Sequence, residues 1–194
     1  ESLEHALARG AAPLAEIIGY GVSADAAYLV APADNGAGAA RAMQTALRDA
    51  GISPDEVDYV SAHATATDVG DVAETGAIKA VLGERAYQVP VSALKSQIGH
   101  LLGGSGGVET VAAIQTIRTG TILQTLNLDR PGEGCDLEQA DDPERRRGMA
   151  LRQLGPEART VERLEGGWLD HAPTPCPWGA WVSWGLDRKS TRLN

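Results

Sequence analysis

Apolar residues in the first 139 positions cluster in short runs that predict β-strands. One run covers residues 14–22, a second covers 57–62 with apolar and polar side chains in alternation, and a third covers 89–92. Short apolar runs that end in polar loops are typical of strands in a sheet. The polar loops after the second and third runs are therefore expected at strand ends.

Between these runs the apolar positions recur every three or four residues, which predicts helices. One helix covers residues 40–50 and ends at Gly51, and a second covers about 70–82 and ends at Gly83. Glycine favours helix ends because it tolerates left-handed backbone conformations. A third helix, over 108–118, is apolar nearly all round and is expected to be buried. Alternating strands and helices predict an α/β layer fold.

This periodic pattern stops near residue 140, where we predict a domain boundary. All four tryptophans follow residue 167, and an arginine run occupies 145–147. We therefore expect one domain over 1–139 and an unmatched tail over 140–194, and the tail is interpreted as frame-shifted or as derived from vector or adapter sequence. A genuine divergent C-terminus is the alternative. Because the chain begins with Glu1 rather than Met, it is expected to be part of a longer protein.

Charge and composition exclude several classes of protein. The chain has 194 residues with 26 acidic and 17 basic side chains, a net charge of -9, which argues against binding to nucleic acid or an anionic membrane. No apolar run approaches the roughly 18 residues of a membrane span, and no signal-peptide pattern occurs. Two cysteines, Cys135 and Cys176, cannot form a disulfide framework. A cytoplasmic location is therefore expected.

Three polar groups of residues are candidates for chemistry: 61–67, 70–74 and 95–100. His63 and Lys95 both follow predicted strands, so they are expected to share one edge of the sheet. His63 and His100 can each offer a ring N–H to a developing oxyanion. Lys95 can hold a carboxylate, for which Glu74 is the natural candidate.

Simpler structural roles remain open for the same side chains. A histidine at a strand end is commonly a hydrogen-bonded structural residue, which is the alternative for His63. Asp71 and Glu74 also have the spacing of a helix N-cap and its N3 partner. Lys95 taken alone is most simply a solvated surface lysine.

Two further functional alternatives are weaker. Gly103-x-Ser105-x-Gly107 matches the nucleophile elbow of α/β-hydrolases, but that motif needs a strand directly before the serine, and residues 100–102 form a poor strand. A metal site would use His63, Asp71, Glu74 and His100. Their spacing matches no standard metal motif, so no metal is predicted.

Taken in order, these motifs resemble the C-terminal half of the β-ketoacyl-[acyl-carrier-protein] synthases, condensing enzymes of the thiolase fold. The elongation type of bacterial fatty-acid synthesis fits best. The resemblance implies an α/β, thiolase-like fold with a mixed sheet layered with helices, whose final strands are expected to be absent here. It runs over residues 4–137 and is carried by Gly36–Ala40, Ala46–Gly51, Ser61–Thr67, Gly70–Glu74, Lys95–Gly103, Asn127–Asp129 and Glu133–Leu137.

The resemblance implies a decarboxylating condensation. A cysteine takes the acyl chain as a thioester, malonyl on acyl carrier protein loses carbon dioxide, and the resulting enolate attacks the thioester. His63 and His100 match the two family histidines beside the enolate oxygen. Lys95 matches the lysine that supports them, and Glu74 matches its acidic partner.

The same resemblance implies partners and a substrate contact. Thr65 and Thr67 match threonines that hold the phosphopantetheine arm of acyl carrier protein. The parent enzyme is expected to be a homodimer that uses neither a metal nor an organic cofactor. A polyketide-type ketosynthase fragment, or a non-catalytic module that binds a carrier protein or companion subunit, is the alternative.

The sequence departs from the family pattern at several points. The nucleophilic cysteine belongs to the N-terminal half, Cys135 matches a non-catalytic position and Cys176 lies in the tail. We therefore assign no nucleophile and predict that this chain alone is inactive. Ala64 replaces a glycine and is expected to strain its loop if φ is positive there. Ala93-Leu94 replaces Ser-Thr, and the phenylalanine gating loop is missing, since the chain has no phenylalanine.

Overall fold

The computed structural model describes residues 1–137 of the chain. Its α-helices agree with the three helices predicted from apolar spacing and add two short ones. The predictions for residues 138–194, including the tail and the absent final strands, concern positions outside the described residues. The α-helices are α1 (Leu3–Ala8), α2 (Ala37–Ala50), α3 (Asp68–Leu82), α4 (Lys95–Ile98) and α5 (Ser105–Thr119).

Two short parallel strands form the sheet of the described residues. β1 (Val60–Ser61) pairs with β2 (Val91–Ser92), with Val60 opposite Val91 and Ser61 opposite Ser92. Both strands are shorter than the predicted runs, and α3 lies between them in the chain. This strand–helix–strand unit is the predicted α/β layering. Within residues 1–137 the sheet consists of this parallel pair.

The strand predicted over residues 14–22 is wrong. This segment pairs with no strand and lies directly on α2. A side chain at Gly21 would clash with the helix, because its Cβ would come within 1.9 Å of the Ala42 carbonyl oxygen. The Tyr20 backbone N–H donates to the Asp49 carboxylate at 2.9 Å. Leu14 and Ile17 remain exposed. The glycines allow close approach to a helix, so the apolar run packs there without a partner strand.

The core lies between α2, α3 and the two strands. Close approach of α2 and α3 depends on small residues: a Cβ on Gly36 would lie 2.0 Å from the Ala73 carbonyl oxygen. Leu137 packs into the same core. Each fully buried aliphatic side chain stabilises the fold by about 1.5–3 kcal/mol. The larger side chains of the cluster are Met43, Leu47, Ile52, Val57, Val60, Ile78, Val81, Leu82 and Val89.

The prediction that the 108–118 helix is buried is wrong for much of its surface. α5 buries a face of small and polar residues, including Ser105, Glu109 and Ala113. Val111 is 59% exposed. The polar face of the helix points inward because Glu109 forms a buried ion pair there, as described below. Among residues 1–137, no helix has the length and apolar character to cross a membrane.

Candidate active site

The parallel strands bring the polar loops of the sequence to one edge of the sheet. His63 lies two residues beyond β1, and Lys95, the first residue of α4, lies three residues beyond β2. The rings of His63 and His100 meet edge to face, with centroids 5.4 Å apart and planes at 88°. The predicted shared edge is confirmed.

The Glu74 carboxylate forms hydrogen bonds with the backbone of the loop that carries His63. Its two carboxylate oxygens accept hydrogen bonds from the N–H groups of His63 and Ala64, each at 2.8 Å, and Glu74 is only 6% exposed. The alternative in which Asp71 caps the helix is wrong, because α3 begins at Asp68 with Thr67 at the N-cap position. Glu74 instead accepts from loop N–H groups that have no strand partner.

Lys95 forms a buried ion pair, but with Glu109 and not with Glu74. The Lys95 Nζ–Glu109 Oε1 distance is 2.5 Å, and the residues are 7% and 8% exposed. The expectation that Glu74 is the carboxylate held by Lys95 is therefore corrected, since both Glu74 oxygens face backbone donors. Glu109 was not among the predicted site residues. Its signal in the sequence is a single carboxylate in a helix that was predicted to be apolar nearly all round.

Burial and nearby charge shift the pKa values of two of these groups. Burial lowers the pKa of His63 to about 4, and the Lys95 charge and His100 add to this effect. The His63 ring is therefore neutral at pH 7. Burial raises the pKa of Glu74 to about 7, while the N–H groups of Ala64 and His63 oppose that shift by stabilising the carboxylate.

His100 is exposed to solvent, and two neighbouring polar groups contact its Nδ1 atom. The Ser105 Oγ lies 3.0 Å from Nδ1, and the Leu102 backbone N–H donates to Nδ1 at 3.1 Å. A short 3-10 helix, Leu102–Gly104, precedes Ser105, so the strand that a nucleophile elbow requires is absent at this point. The hydrolase alternative is therefore wrong.

The loop after His63 has a left-handed backbone at two alanines. Ala64 has φ +22° and Ala66 has φ +59°. The condition stated for strain at position 64, a positive φ, is met, and an alanine there strains the loop by about 1–2 kcal/mol. The Glu74 carboxylate stabilises the strained segment by accepting a hydrogen bond from the Ala64 N–H. Thr65 and Thr67 follow, with their Oγ1 atoms 3.2 Å apart.

A cavity of about 630 Å³ opens at this edge of the sheet. The candidate residues Thr65, Thr67, Glu74, Lys95 and His100 all contribute to its wall. His63 is not among the lining residues, and its ring instead contacts that of His100. Cys135 also lines the cavity. No three histidine, cysteine or acidic side chains within residues 1–137 converge as a metal-binding group.

Comparison with known proteins identifies the class. Residues 14–129 match the family model for the beta-ketoacyl synthase C-terminal domain. The chain belongs to the β-ketoacyl synthase family and carries that domain. The family and the thiolase-like fold implied by the motifs are thereby confirmed.

The most similar relatives include curated enzymes of one name. The 3-oxoacyl-[acyl-carrier-protein] synthase 2 of Synechocystis sp. is 49% identical over 138 residues, which cover 71% of this chain and 33% of the relative. The enzyme of the same name from Staphylococcus aureus is also 49% identical, over 71% of this chain and 34% of the relative. The chain thus spans about a third of the length of these relatives.

Solved structures of ketosynthases share the fold. A type II polyketide acyl-carrier protein in complex with its ketosynthase matches with a TM-score of 0.67 and 41% identity, over 72% of this chain and 34% of the other. A β-ketoacyl synthase from Burkholderia phymatum matches with a TM-score of 0.65 and 42% identity, over 71% and 33%.

Proposed function

We propose that this chain supplies the enolate-stabilising part of a condensing enzyme of fatty-acid elongation. In the reaction, the bond between the malonyl α-carbon and its carboxylate breaks and carbon dioxide leaves. The electron pair moves onto the thioester oxygen as an enolate. The enolate carbon then attacks an acyl thioester on a cysteine, and the cysteine thiolate leaves.

The observation that carries this proposal is the edge-to-face pairing of the His63 ring with the ring of His100, which lines the cavity. Their ring centroids are 5.4 Å apart, so both rings can approach one ligand oxygen. With its pKa lowered to about 4, His63 is neutral at pH 7 and offers one N–H donor. Removing one donor of this kind typically costs 10²–10³-fold in rate.

Lys95 and Glu109 set the charge around the histidines. The Lys95 charge helps to keep His63 unprotonated. A protonated His63 can transfer its extra proton to the enolate carbon and quench it before it attacks the acyl thioester. The Glu109 carboxylate compensates the Lys95 charge at 2.5 Å, so the lysine is retained in a buried position. We assign Glu74 to positioning the His63 loop through its backbone.

Thr65 and Thr67 are the proposed contacts for the phosphopantetheine arm of acyl carrier protein. Their hydroxyls lie 3.2 Å apart on the cavity wall and can bond an amide of an extended polar chain. A ketosynthase among the similar structures was solved with its acyl-carrier protein, which supports this partner. The parent enzyme is proposed to be a cytoplasmic homodimer.

The elongation-type interpretation rests on the curated relatives, since those named 3-oxoacyl-[acyl-carrier-protein] synthase 2 reach 49% identity. The solved structures do not separate the two classes, because the polyketide ketosynthase complex is 41% identical and the Burkholderia β-ketoacyl synthase is 42% identical. The structural similarity to polyketide enzymes keeps that alternative as the second candidate. Acyl-substrate preference separates the two, since an elongation enzyme extends saturated acyl chains.

A chimera tests the proposal. Residues 14–129 replace the matching segment of the Synechocystis relative, and the product is assayed for carbon dioxide release and 3-ketoacyl product from malonyl- and acyl-acyl carrier protein. Activity on saturated acyl chains supports the proposal. A folded chimera that binds carrier protein and forms no product would favour the non-catalytic binding module.

A further inference from the structure

Gly70 lies in the first turn of α3, between the threonines of the site and Glu74. Among the described residues, the glycines with a left-handed backbone do not include Gly70, so alanine can adopt its conformation. Alanine is also the better helix former. The backbone of α3 therefore does not account for a glycine at this position.

The space beside Gly70 is occupied by the Thr67 hydroxyl. A Cβ on residue 70 would lie 2.3 Å from Thr67 Oγ1 and 3.7 Å from Thr65 Oγ1. The second distance is an ordinary contact, whereas the first is far too short for carbon and oxygen atoms that are not bonded. An alanine at position 70 would therefore exclude the Thr67 hydroxyl from its place.

The Thr67 hydroxyl is directed towards Thr65 and not towards its own helix. Thr67 occupies the N-cap position of α3, but its side chain makes no capping hydrogen bond. Its Oγ1 lies 3.2 Å from Thr65 Oγ1, and both threonines line the cavity. Because Thr67 is exposed, its side chain has room for other staggered rotamers. The orientation towards Thr65 thus depends on the absence of a Cβ at residue 70.

We propose that Gly70 is a positioning residue, because its missing Cβ allows the Thr67 hydroxyl to lie beside that of Thr65. The value of this hydroxyl pair for substrate binding rests on the proposed function, in which the two threonines contact the phosphopantetheine arm. The orientation of Thr67 is a property of the chain without substrate.

The first test is NMR on the full 194-residue chain. Three-bond couplings from the Thr67 methyl carbon to the backbone nitrogen and carbonyl carbon report χ1, and Thr67→Ala assigns the Thr67 signals. In Gly70→Ala, χ1 of Thr67 should change by about 120°, to another staggered rotamer. Gly76→Ala is the matched control in α3, since a Cβ there would lie 3.7 Å from the Asn35 carbonyl oxygen. It should leave the Thr67 couplings unchanged.

The second test is kinetic and uses the chimera with the Synechocystis relative. In Gly70→Ala, KM for malonyl-acyl carrier protein should rise about two- to tenfold, as expected for one lost hydrogen bond. The kcat should be retained, because the threonine contact is equal in the ground state and the transition state. In a Thr67→Ala background, Gly70→Ala should cause no further rise, since no hydroxyl is left to displace. Gly76→Ala should retain the KM of the unmodified chimera.

Two results would overturn the proposal. One is a folded Gly70→Ala chain whose Thr67 couplings match the wild type. The other is a KM that rises equally for Gly70→Ala with and without the Thr67 hydroxyl, which would place the effect of the added methyl group elsewhere. A displaced Thr67 with an unchanged KM would uphold the positioning role of Gly70 and contradict the proposed phosphopantetheine contact, so the two failures are distinguishable.

Discussion

Lys95 and Glu109 form a buried ion pair beside the two histidines, with Nζ and Oε1 2.5 Å apart. The pair connects the first residue of α4 to the second turn of α5, and these two elements flank His100 in the chain. It therefore fixes the relative position of the segments that carry the site.

Removal of one member of this pair should destabilise the chain. Glu109→Ala leaves the Lys95 ammonium buried and unpaired, which costs about 3–5 kcal/mol in free energy of unfolding. Urea denaturation measures the change. Glu84→Ala, at an exposed position, is the control and should change stability by less than about 0.5 kcal/mol. Equal small effects for both variants would contradict a structural role for the pair.

The pKa shifts of His63 and Glu74 predict opposite dependences of stability on pH. Folding lowers the His63 pKa from 6.5 to about 4, so the native state binds protons less well, and stability falls as pH drops from 6.5 to 4. Folding raises the Glu74 pKa from 4.5 to about 7, so stability falls as pH rises from 4.5 to 7. The two effects oppose each other in the wild type.

Single substitutions should separate the pH effects of His63 and Glu74 on stability. The urea midpoint of Glu74→Gln should rise between pH 4 and 6.5, because only the His63 effect remains. The midpoint of His63→Gln should fall between pH 4.5 and 7. If both variants keep the wild-type profile, the shifted pKa values are wrong.

Replacement of the strained alanine should stabilise the loop. Ala64 has φ +22°, where glycine avoids a strain of about 1–2 kcal/mol but costs about 0.5–1 kcal/mol in backbone entropy. Ala64→Gly should therefore raise the free energy of unfolding by up to about 1.5 kcal/mol, measured by urea denaturation. Ala80→Gly, on the exposed side of α3, should lower it by about 1 kcal/mol. Destabilisation by both would show that position 64 carries no strain.

The chain on its own should not catalyse condensation. His100 is exposed in the described residues, so water screens any charge that its ring stabilises, and no nucleophilic cysteine is assigned. Purified residues 1–194, given malonyl- and acyl-acyl carrier protein, should release no 3-ketoacyl product by mass spectrometry. Product above the protein-free background would show that a nucleophile was overlooked.

Local patterns were sufficient to predict the three longer α-helices and the edge of the sheet that carries the site. Apolar spacing and the glycines Gly51 and Gly83 defined α2 and α3, since these signals act within one element. The position of His63 and Lys95 after strands placed them together because parallel strands end at one edge.

Contacts between distant residues were not predictable in the same way. The Lys95–Glu109 pair depends on how α5 packs, so Glu109 was overlooked and Glu74 was given its role. The 14–22 run has strand-like composition, but its close packing on α2 depends on Gly19 and Gly21 meeting a helix. The exposure of Val111 follows from the same packing, because the ion pair places the Glu109 face of α5 inward and leaves Val111 outside.

The central claim is that His63 and His100 stabilise the enolate. In an active chimera with the Synechocystis relative, malonyl decarboxylation should fall at least about 10²-fold in kcat for His63→Ala and for His100→Ala. Glu84→Ala, at an exposed position of the transplanted 14–129 segment, is the control and should leave the rate unchanged. Wild-type decarboxylation by either folded site variant would contradict the claim.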